Sequence, residues 1–147
     1  MAFTYDFPRP GLTVDAVVLT DEIAPRILLI QRKHQPGAGV WALPGGFVNE
    51  NENLEVAMRR ELLEETGLQV GPLRVVGAFG DAGRDPRGWT VSIVYLTRAP
   101  SNNSQPPLVQ ASDDAAAAAW FALDRLPELA FDHATIVAHC LAVTRHQ

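Results

Sequence analysis

The sequence has few of the features that mark secreted or membrane proteins. It contains one cysteine, Cys140, in 147 residues, so the chain cannot form an internal disulfide. The opening MAFTYDFPRPG has neither a basic nor a long apolar region, as a secretory signal would. The most apolar uncharged stretch, AAAAAWFAL at 115–123, is far shorter than the roughly 20 residues of a membrane span. We therefore expect a cytoplasmic protein with no membrane segment.

Positive charge is also scarce. Lysine and arginine number 12 against 17 acidic residues, which gives a formal net charge of -5. Because no block of lysine or arginine is present to follow a phosphate backbone, we expect no binding to nucleic acid. An anionic ligand would need positive charge concentrated at its own site. The length and the 47% hydrophobic content predict a single globular domain covering residues 1–147.

The order of apolar runs predicts an α+β fold. Aliphatic and β-branched runs predict strands at 12–20, 26–31, 73–80 and 90–97. Capping and periodicity predict helices from Asn53 to about Thr66, ended by Gly67, and after Asp132. The alanines before Trp120 leave helix and strand open, and the polar segment 99–114 is either a mobile lid or a disordered excursion.

The position of three glutamates in the last turns of the first predicted helix is unusual. Glu61, Glu64 and Glu65 face the negative end of the helix dipole, which is unfavourable by up to about 1 kcal/mol each when exposed. At 100° per residue, Glu61 and Glu65 share the apolar face and Glu64 lies at its edge. A solvated surface is the usual explanation for such charges, but here they continue an inward face. Repelling carboxylates of this kind indicate a site for a hard divalent cation such as Mg²⁺.

The spacing of these residues resembles the Nudix box. Gly46, five residues, Glu52, seven residues and then REL-x-EE-x-GL, ending at Leu68, match the motif of the Nudix hydrolase family at every position. The resemblance implies the Nudix fold, a mixed β-sheet sandwiched between α-helices, with Mg²⁺ or Mn²⁺ as cofactor. It also implies metal ligands at Gly46, Glu61, Glu64 and Glu65, catalytic roles for Glu64, Arg60 and Glu61, and structural support of the site from Glu52 and Gly67.

Segments outside the box are similar to Nudix proteins of the ADP-ribose pyrophosphatase type. These are YDFPRPGLTVDAVVL near the start, FGDAGRDPRGWTVSIVYL at 79–96 and LAFDH at 129–133. The resemblance implies hydrolysis of ADP-ribose to AMP and ribose 5-phosphate, with nucleoside triphosphates or other sugar nucleotides as alternative substrates. A homodimer is common among such relatives. Candidate substrate-binding residues are Arg32, Arg84, Arg87, Trp89 and His133.

A different class of function is a sensor that binds ADP-ribose without turnover. Relatives of that class carry an additional DNA-binding domain, and we expect none here because the last helix begins near the end of the chain and no basic surface run is present. The complete box favours turnover. Bound ligand without product release in the presence of Mg²⁺ would favour the sensor.

Several residues have two possible roles. Arg84 and Arg87, before and within DPRG, either bind a phosphate or lie exposed in a turn. Trp89 either stacks on adenine or packs in the hairpin. Relatives often have Glu where this chain has Ala117, so the catalytic base is open among Glu64, Asp85, Asp113 and Asp114, of which the last pair could equally be loop residues. The other histidines have no metal-ligand spacing; they are His34, His139 and His146.

Overall fold

The computed structural model describes residues 2–103, 105–112 and 114–144. Asp113 and His146, considered above, lie outside the described residues. The elements in chain order are β1 Gly11–Thr20, β2 Arg26–Arg32, β3 Trp41–Ala42, β4 Gly45–Phe47, α1 Leu54–Thr66, β5 Arg74–Phe79, β6 Thr90–Ala99, β7 Ala115–Ala122 and α2 His133–Thr144. The predicted α+β class and the longer strands are confirmed.

The strands form a mixed sheet, as predicted. Along the main path the order is β3-β2-β1-β6-β5, while β4 pairs with β1 and β7 pairs with β2. The central pair, β1 and β6, is parallel from Gly11 opposite Thr90 to Thr20 opposite Ala99, and the other pairings are antiparallel. A central strand buried on both faces requires a nearly continuous apolar run, which is what LTVDAVVLT supplies.

The two helices cover opposite faces of the sheet. Alternate residues of β1 divide between two cores: Val14, Ala16 and Val18 pack with α1, whereas Val17 and Leu19 pack with α2. Because successive strand side chains point to opposite faces, this alternation places the sheet between the helices. The predicted sandwich is confirmed, and Cys140 is fully buried on the sheet side of α2.

Helix α1 has the predicted bounds but not the predicted cap chemistry. Asn53 occupies the N-cap with extended backbone angles, φ −66° and ψ 144°, yet its side chain makes no capping hydrogen bond within the described residues. At the other end, Gly67 has φ 73°, and its N–H donates to the Leu63 carbonyl at 3.0 Å. Glycine enters this left-handed region without the steric penalty of a side chain.

The two uncertain segments are ordered by tertiary contacts. The alanine run forms β7, paired antiparallel with β2, because a free strand edge outweighs the helix propensity of alanine. In 99–114, the Gln110 N–H donates to the Thr66 carbonyl at 3.0 Å. The Trp120 indole N–H donates to the Pro107 carbonyl at 2.9 Å. The described part of this segment is therefore attached to α1 and β7, not disordered.

Neither described helix has the length and apolar character needed to cross a bilayer.

The stop at Gly67 gives a stability prediction. We expect Gly67→Ala to lower the free energy of unfolding by about 1 kcal/mol, because alanine is strained at positive φ. Gly71 is the matched control: an added Cβ there meets open space and its φ is outside the positive range, so Gly71→Ala should be nearly neutral. Urea denaturation measures both variants, and equal effects would contradict the argument.

Candidate active site

Of the three glutamates in the last turns of α1, two point into the protein. Glu61 and Glu65 are 8% and 6% exposed, whereas the Glu64 side chain is 44% exposed. This division follows from helical spacing, since Glu61 and Glu65 share the face that carries Met58 and Leu62 into the core. The predicted arc of carboxylates is confirmed, with Glu64 at its solvent edge.

The backbone of β4 approaches these carboxylates closely because it is built from glycine. A Cβ added to Gly46 would lie 2.6 Å from Glu61 Oε1. A Cβ added to Gly45 would overlap the Val14 carbonyl and Asp15 Oδ1. The Gly45 N–H donates to Glu65 Oε1 at 2.7 Å. A side chain at Gly46 would push β4 away from the end of α1, and a side chain at Gly45 would push it away from β1.

Arg60 connects the acidic residues around it. Its Nε donates to Glu52 Oε2 at 2.7 Å, and its Nη1 donates to Glu61 Oε1 at 2.9 Å and Glu64 Oε2 at 3.2 Å. Glu52 also accepts from the Asn49 N–H at 3.0 Å. The guanidinium fork therefore holds three carboxylates in fixed relative positions. The supporting role of Glu52 stays a prediction, and its contacts with Arg60 and Asn49 are where that role would act.

Burial and neighbouring charges shift the pKa values of these carboxylates in opposite directions. Burial raises the pKa of Glu65 to about 9, against the hydrogen bond from Gly45, and nearby Glu61 adds to the rise. Burial also raises the pKa of Glu61, opposed by Arg60. In contrast, the hydrogen bonds from Arg60 lower the pKa of Glu52 to about 2. The charge of Asp114 makes a small further contribution to the raised pKa of Glu61 and of Glu65.

The donor set suits a divalent cation, although the side chains are not gathered around one point. Among the described residues, no group of three or more His, Cys, Asp or Glu side chains is arranged as a metal site. Glu61 and Glu64 instead turn to Arg60, and Glu65 turns to Gly45, as expected for carboxylates that repel one another. The residues fit Mg²⁺ or Mn²⁺ by chemistry: the donors are oxygens, and two of the carboxylates are buried beside the half-buried glycine backbone of β4.

Arginines line the cleft that contains Glu65. Arg32 and Arg87 border it together with Phe131, and their guanidinium carbons lie 4.8 Å and 5.0 Å from the Phe131 ring centroid. Asp85 holds Arg87 by hydrogen bonds of 2.7 to 3.2 Å. Burial and the charge of Arg87 lower the pKa of Arg32. Two cations that line one cleft indicate a site for an anion.

The remaining predicted substrate residues have other surroundings. The Arg84 side chain is almost fully buried and donates to both carboxylate oxygens of Asp132 at 2.8 and 2.9 Å. This contact ties the 80–89 loop to the residue that precedes α2. His133 borders the cleft and is bonded to the Leu43 backbone. Trp89 is 56% exposed, so packing in the hairpin covers less than half of its surface.

Sequence reasoning missed Asp15 and Phe131. Asp15 is 6% exposed, lines the cleft and accepts a hydrogen bond from Ser92 Oγ. A signal was present, since Asp15 is the one acid inside the apolar run LTVDAVVLT and buried acids seldom occur without a partner. Phe131 has a positive φ of 55°, a strained conformation that sequence does not reveal and that marks functional loops more often than ordinary ones.

The comparison with family models agrees with this geometry. Residues 9–140 match the model of the NUDIX domain. The chain therefore belongs to the Nudix hydrolase family, whose members generally use divalent metal ions.

Relatives of this chain include both an enzyme and a regulator. It is 41% identical over 129 residues to an ADP-ribose pyrophosphatase of Methanocaldococcus jannaschii, a match that covers 88% of this chain and 72% of the relative. It is 38% identical over 142 residues to the ADPR responsive transcriptional repressor NtrR of Acinetobacter baylyi. That match covers 93% of this chain but 55% of the repressor.

A solved structure with a bound nucleotide has the same fold. It is the NUDIX domain of Shewanella oneidensis NrtR complexed with ADP ribose, at 32% identity and a TM-score of 0.84. The match covers 97% of this chain and 94% of that one. The likeness thus extends over nearly the whole of both chains.

The contact between Gly46 and Glu61 gives a prediction for metal binding. We expect Gly46→Ala to weaken Mn²⁺ binding about tenfold or more, because the new methyl group displaces the Glu61 carboxylate. Titration of the substrate-free protein by calorimetry or electron paramagnetic resonance measures this. Gly77→Ala is the control, since its Cβ meets Phe79 at an ordinary 3.9 Å. Unchanged Mn²⁺ affinity in a folded Gly46→Ala variant would contradict the assignment.

Proposed function

We propose that this protein hydrolyses the diphosphate of ADP-ribose in a reaction that depends on Mg²⁺, giving AMP and ribose 5-phosphate. The observation that carries the proposal is a single cleft bordered both by the buried Glu65, bonded to Gly45, and by the arginines Arg32 and Arg87. Such a cleft offers oxygens for cations and guanidinium groups for the phosphates that accompany them. The similarity to the archaeal ADP-ribose pyrophosphatase supports the choice of substrate.

The reaction adds one water across the phosphoanhydride. The bond between one phosphorus and the bridging oxygen breaks, the water oxygen joins that phosphorus, and a proton leaves to the solvent. When bound, Mg²⁺ would neutralise the diphosphate and favour attack by water, with Gly46, Glu61, Glu64 and Glu65 as its proposed ligands. Arg60 and Glu52 would keep these carboxylates in position through the hydrogen bonds described above.

Arg32 and Arg87 are the proposed contacts to the phosphates. Arg87 is oriented by Asp85 and packs against Phe47 and Phe131, with its guanidinium carbon 4.8 Å from the Phe47 ring centroid. Arg32 is oriented by the Pro36 carbonyl, to which its Nε donates at 2.7 Å. Fixed guanidinium groups lose little conformational freedom on binding an anion, so they position the diphosphate for attack.

Glu64 is the best candidate to accept the proton of the attacking water. It is the exposed member of the carboxylate set, in reach of a solvent molecule, and Arg60 holds it at 3.2 Å. Asp85 is a poorer candidate: burial opposes its ionisation, but the hydrogen bonds from Arg87 dominate and keep its pKa low. Asp114 remains a second candidate because its charge acts on Glu61 and Glu65.

A sensor that binds ADP-ribose is the second candidate function. The observation in its favour is the similarity to a transcriptional repressor and to a NUDIX domain solved with ADP ribose. In that case the cleft would bind ADP-ribose with Mg²⁺ present and release no product. The domain extent of 1–147, the cytoplasmic location and the homodimer stay predictions.

Removing one carboxylate tests the proposed chemistry. We expect Glu64→Gln to lower kcat about 100-fold or more, since general-base catalysis contributes about 10² to 10⁴, while stability stays equal or rises because carboxylate repulsion is relieved. Glu55→Gln is the matched control on the same helix, where Glu55 is exposed and 3.9 Å from Arg59. A Glu64→Gln variant with full turnover would move the chemistry to another residue.

A substrate panel tests the proposed specificity. Products are measured for ADP-ribose, other sugar nucleotides and deoxynucleoside triphosphates, each with and without Mg²⁺. We expect AMP and ribose 5-phosphate from ADP-ribose, with the highest kcat/KM of the panel and no turnover in chelator. Turnover of triphosphates alone would reject ADP-ribose as the substrate. Tight binding of ADP-ribose without product would instead favour the sensor.

A further inference from the structure

The side chain of His133 replaces a strand neighbour at the end of β3. Trp41 forms a parallel bridge with Leu129, and the Ala130 N–H donates to the Trp41 carbonyl at 2.8 Å. Two residues further along the same segment, the Leu43 N–H donates to His133 Nδ1 at 3.0 Å. This hydrogen bond is buried, and its acceptor is a side chain where a neighbouring strand would offer a backbone carbonyl. The imidazole thus completes the attachment of the segment 41–43 to the residues that precede α2.

This attachment leads directly to the carboxylates. Leu43 is followed by Pro44, whose carbonyl accepts from the Ala16 N–H at 2.9 Å, and then by Gly45 and Gly46. Gly45 donates to Glu65, and Gly46 lies against Glu61. Movement of Leu43 would therefore shift the backbone atoms that the metal-ligand set depends on.

The other nitrogen of His133 faces an acid. Nε2 lies 4.0 Å from Asp15 Oδ1, which is too long for a direct hydrogen bond but close enough for electrostatic attraction. Because Nδ1 accepts a hydrogen bond, a neutral imidazole must carry its proton on Nε2, the nitrogen that points to Asp15. Asp15 is itself held by Ser92 Oγ and lies opposite Gly45 in the β1–β4 pair. Burial lowers the pKa of His133, so the neutral form prevails at neutral pH.

We propose that His133 is a positioning residue, with its Nδ1 holding Leu43, and through it Gly45 and Gly46, in place beside Glu61 and Glu65, and with Asp15 fixing the ring orientation. His133 then acts through the backbone of 43–46 and touches no substrate. This inference uses the metal-ligand set of the proposed function, but it does not depend on the identity of the substrate.

The experiment compares two substitutions of His133. Asparagine can offer Oδ1 near the position of Nδ1, so His133→Asn should retain an acceptor for Leu43, whereas His133→Ala removes it. We expect His133→Ala to speed hydrogen exchange at the Leu43 amide about tenfold or more and to weaken Mn²⁺ binding by about 10- to 100-fold, while His133→Asn recovers most of both losses. His139→Ala is the control, because His139 lies on the same helix, exposed and edge-on to Phe79.

A measurement on the unaltered protein keeps the proposal testable if His133→Ala does not fold. The ¹⁵N resonances of His133 should report the tautomer protonated on Nε2. A proton on Nδ1 would overturn the proposal, as would a folded His133→Asn variant no better than His133→Ala. Neither exchange nor Mn²⁺ affinity requires a substrate, so an absence of ADP-ribose turnover would count against the proposed function alone.

Discussion

The structure depends on carboxylates buried against glycine backbone. Glu61 and Glu65 occupy the inward face of α1, where Gly45 and Gly46 come within contact distance. Burying these acids is unfavourable, as the raised pKa of about 9 at Glu65 indicates. The two elements that form this contact are held in place by other interactions. Helix α1 packs on one face of the sheet, and β4 pairs with β1. A divalent cation bound between these carboxylates would offset the unfavourable free energy of burying them.

The opposite wall of the cleft carries the complementary charge. Arg32 and Arg87 flank Phe131, and Asp85 restrains Arg87. Neither arginine lies near the Nudix box in sequence, and they come from β2 and from the loop before β6. Glu65 and the two arginines therefore border one cleft because the central parallel pair of strands brings β2, β4 and the 80–89 loop to the same end of the sheet.

Most differences between prediction and structure have a tertiary cause. Asn53 was expected to cap α1 through its side chain, the run at 115–119 was ambiguous, and 99–114 was expected to be a lid or disordered. In the last two cases a tertiary partner decided the outcome: the free edge of β2 selected a strand for the alanines, and Thr66 and Trp120 attached the polar segment. Nothing in the structure explains why the Asn53 side chain makes no capping bond. Local propensity is worth less than about 1 kcal/mol per residue and yields to such pairing.

The sequence alone determined the class of fold, the family resemblance and the acidic helix, because spacing along a helix dictates which residues share a face. That spacing explains why the side chains of Glu61 and Glu65 point inward and why Glu64 lies at the edge. Only the tertiary structure decided that Arg84 binds Asp132, that Asp15 enters the cleft and that His133 holds Leu43, 90 residues away. Those contacts join residues far apart in the chain, and their geometry depends on how the strands pair, which no local pattern encodes.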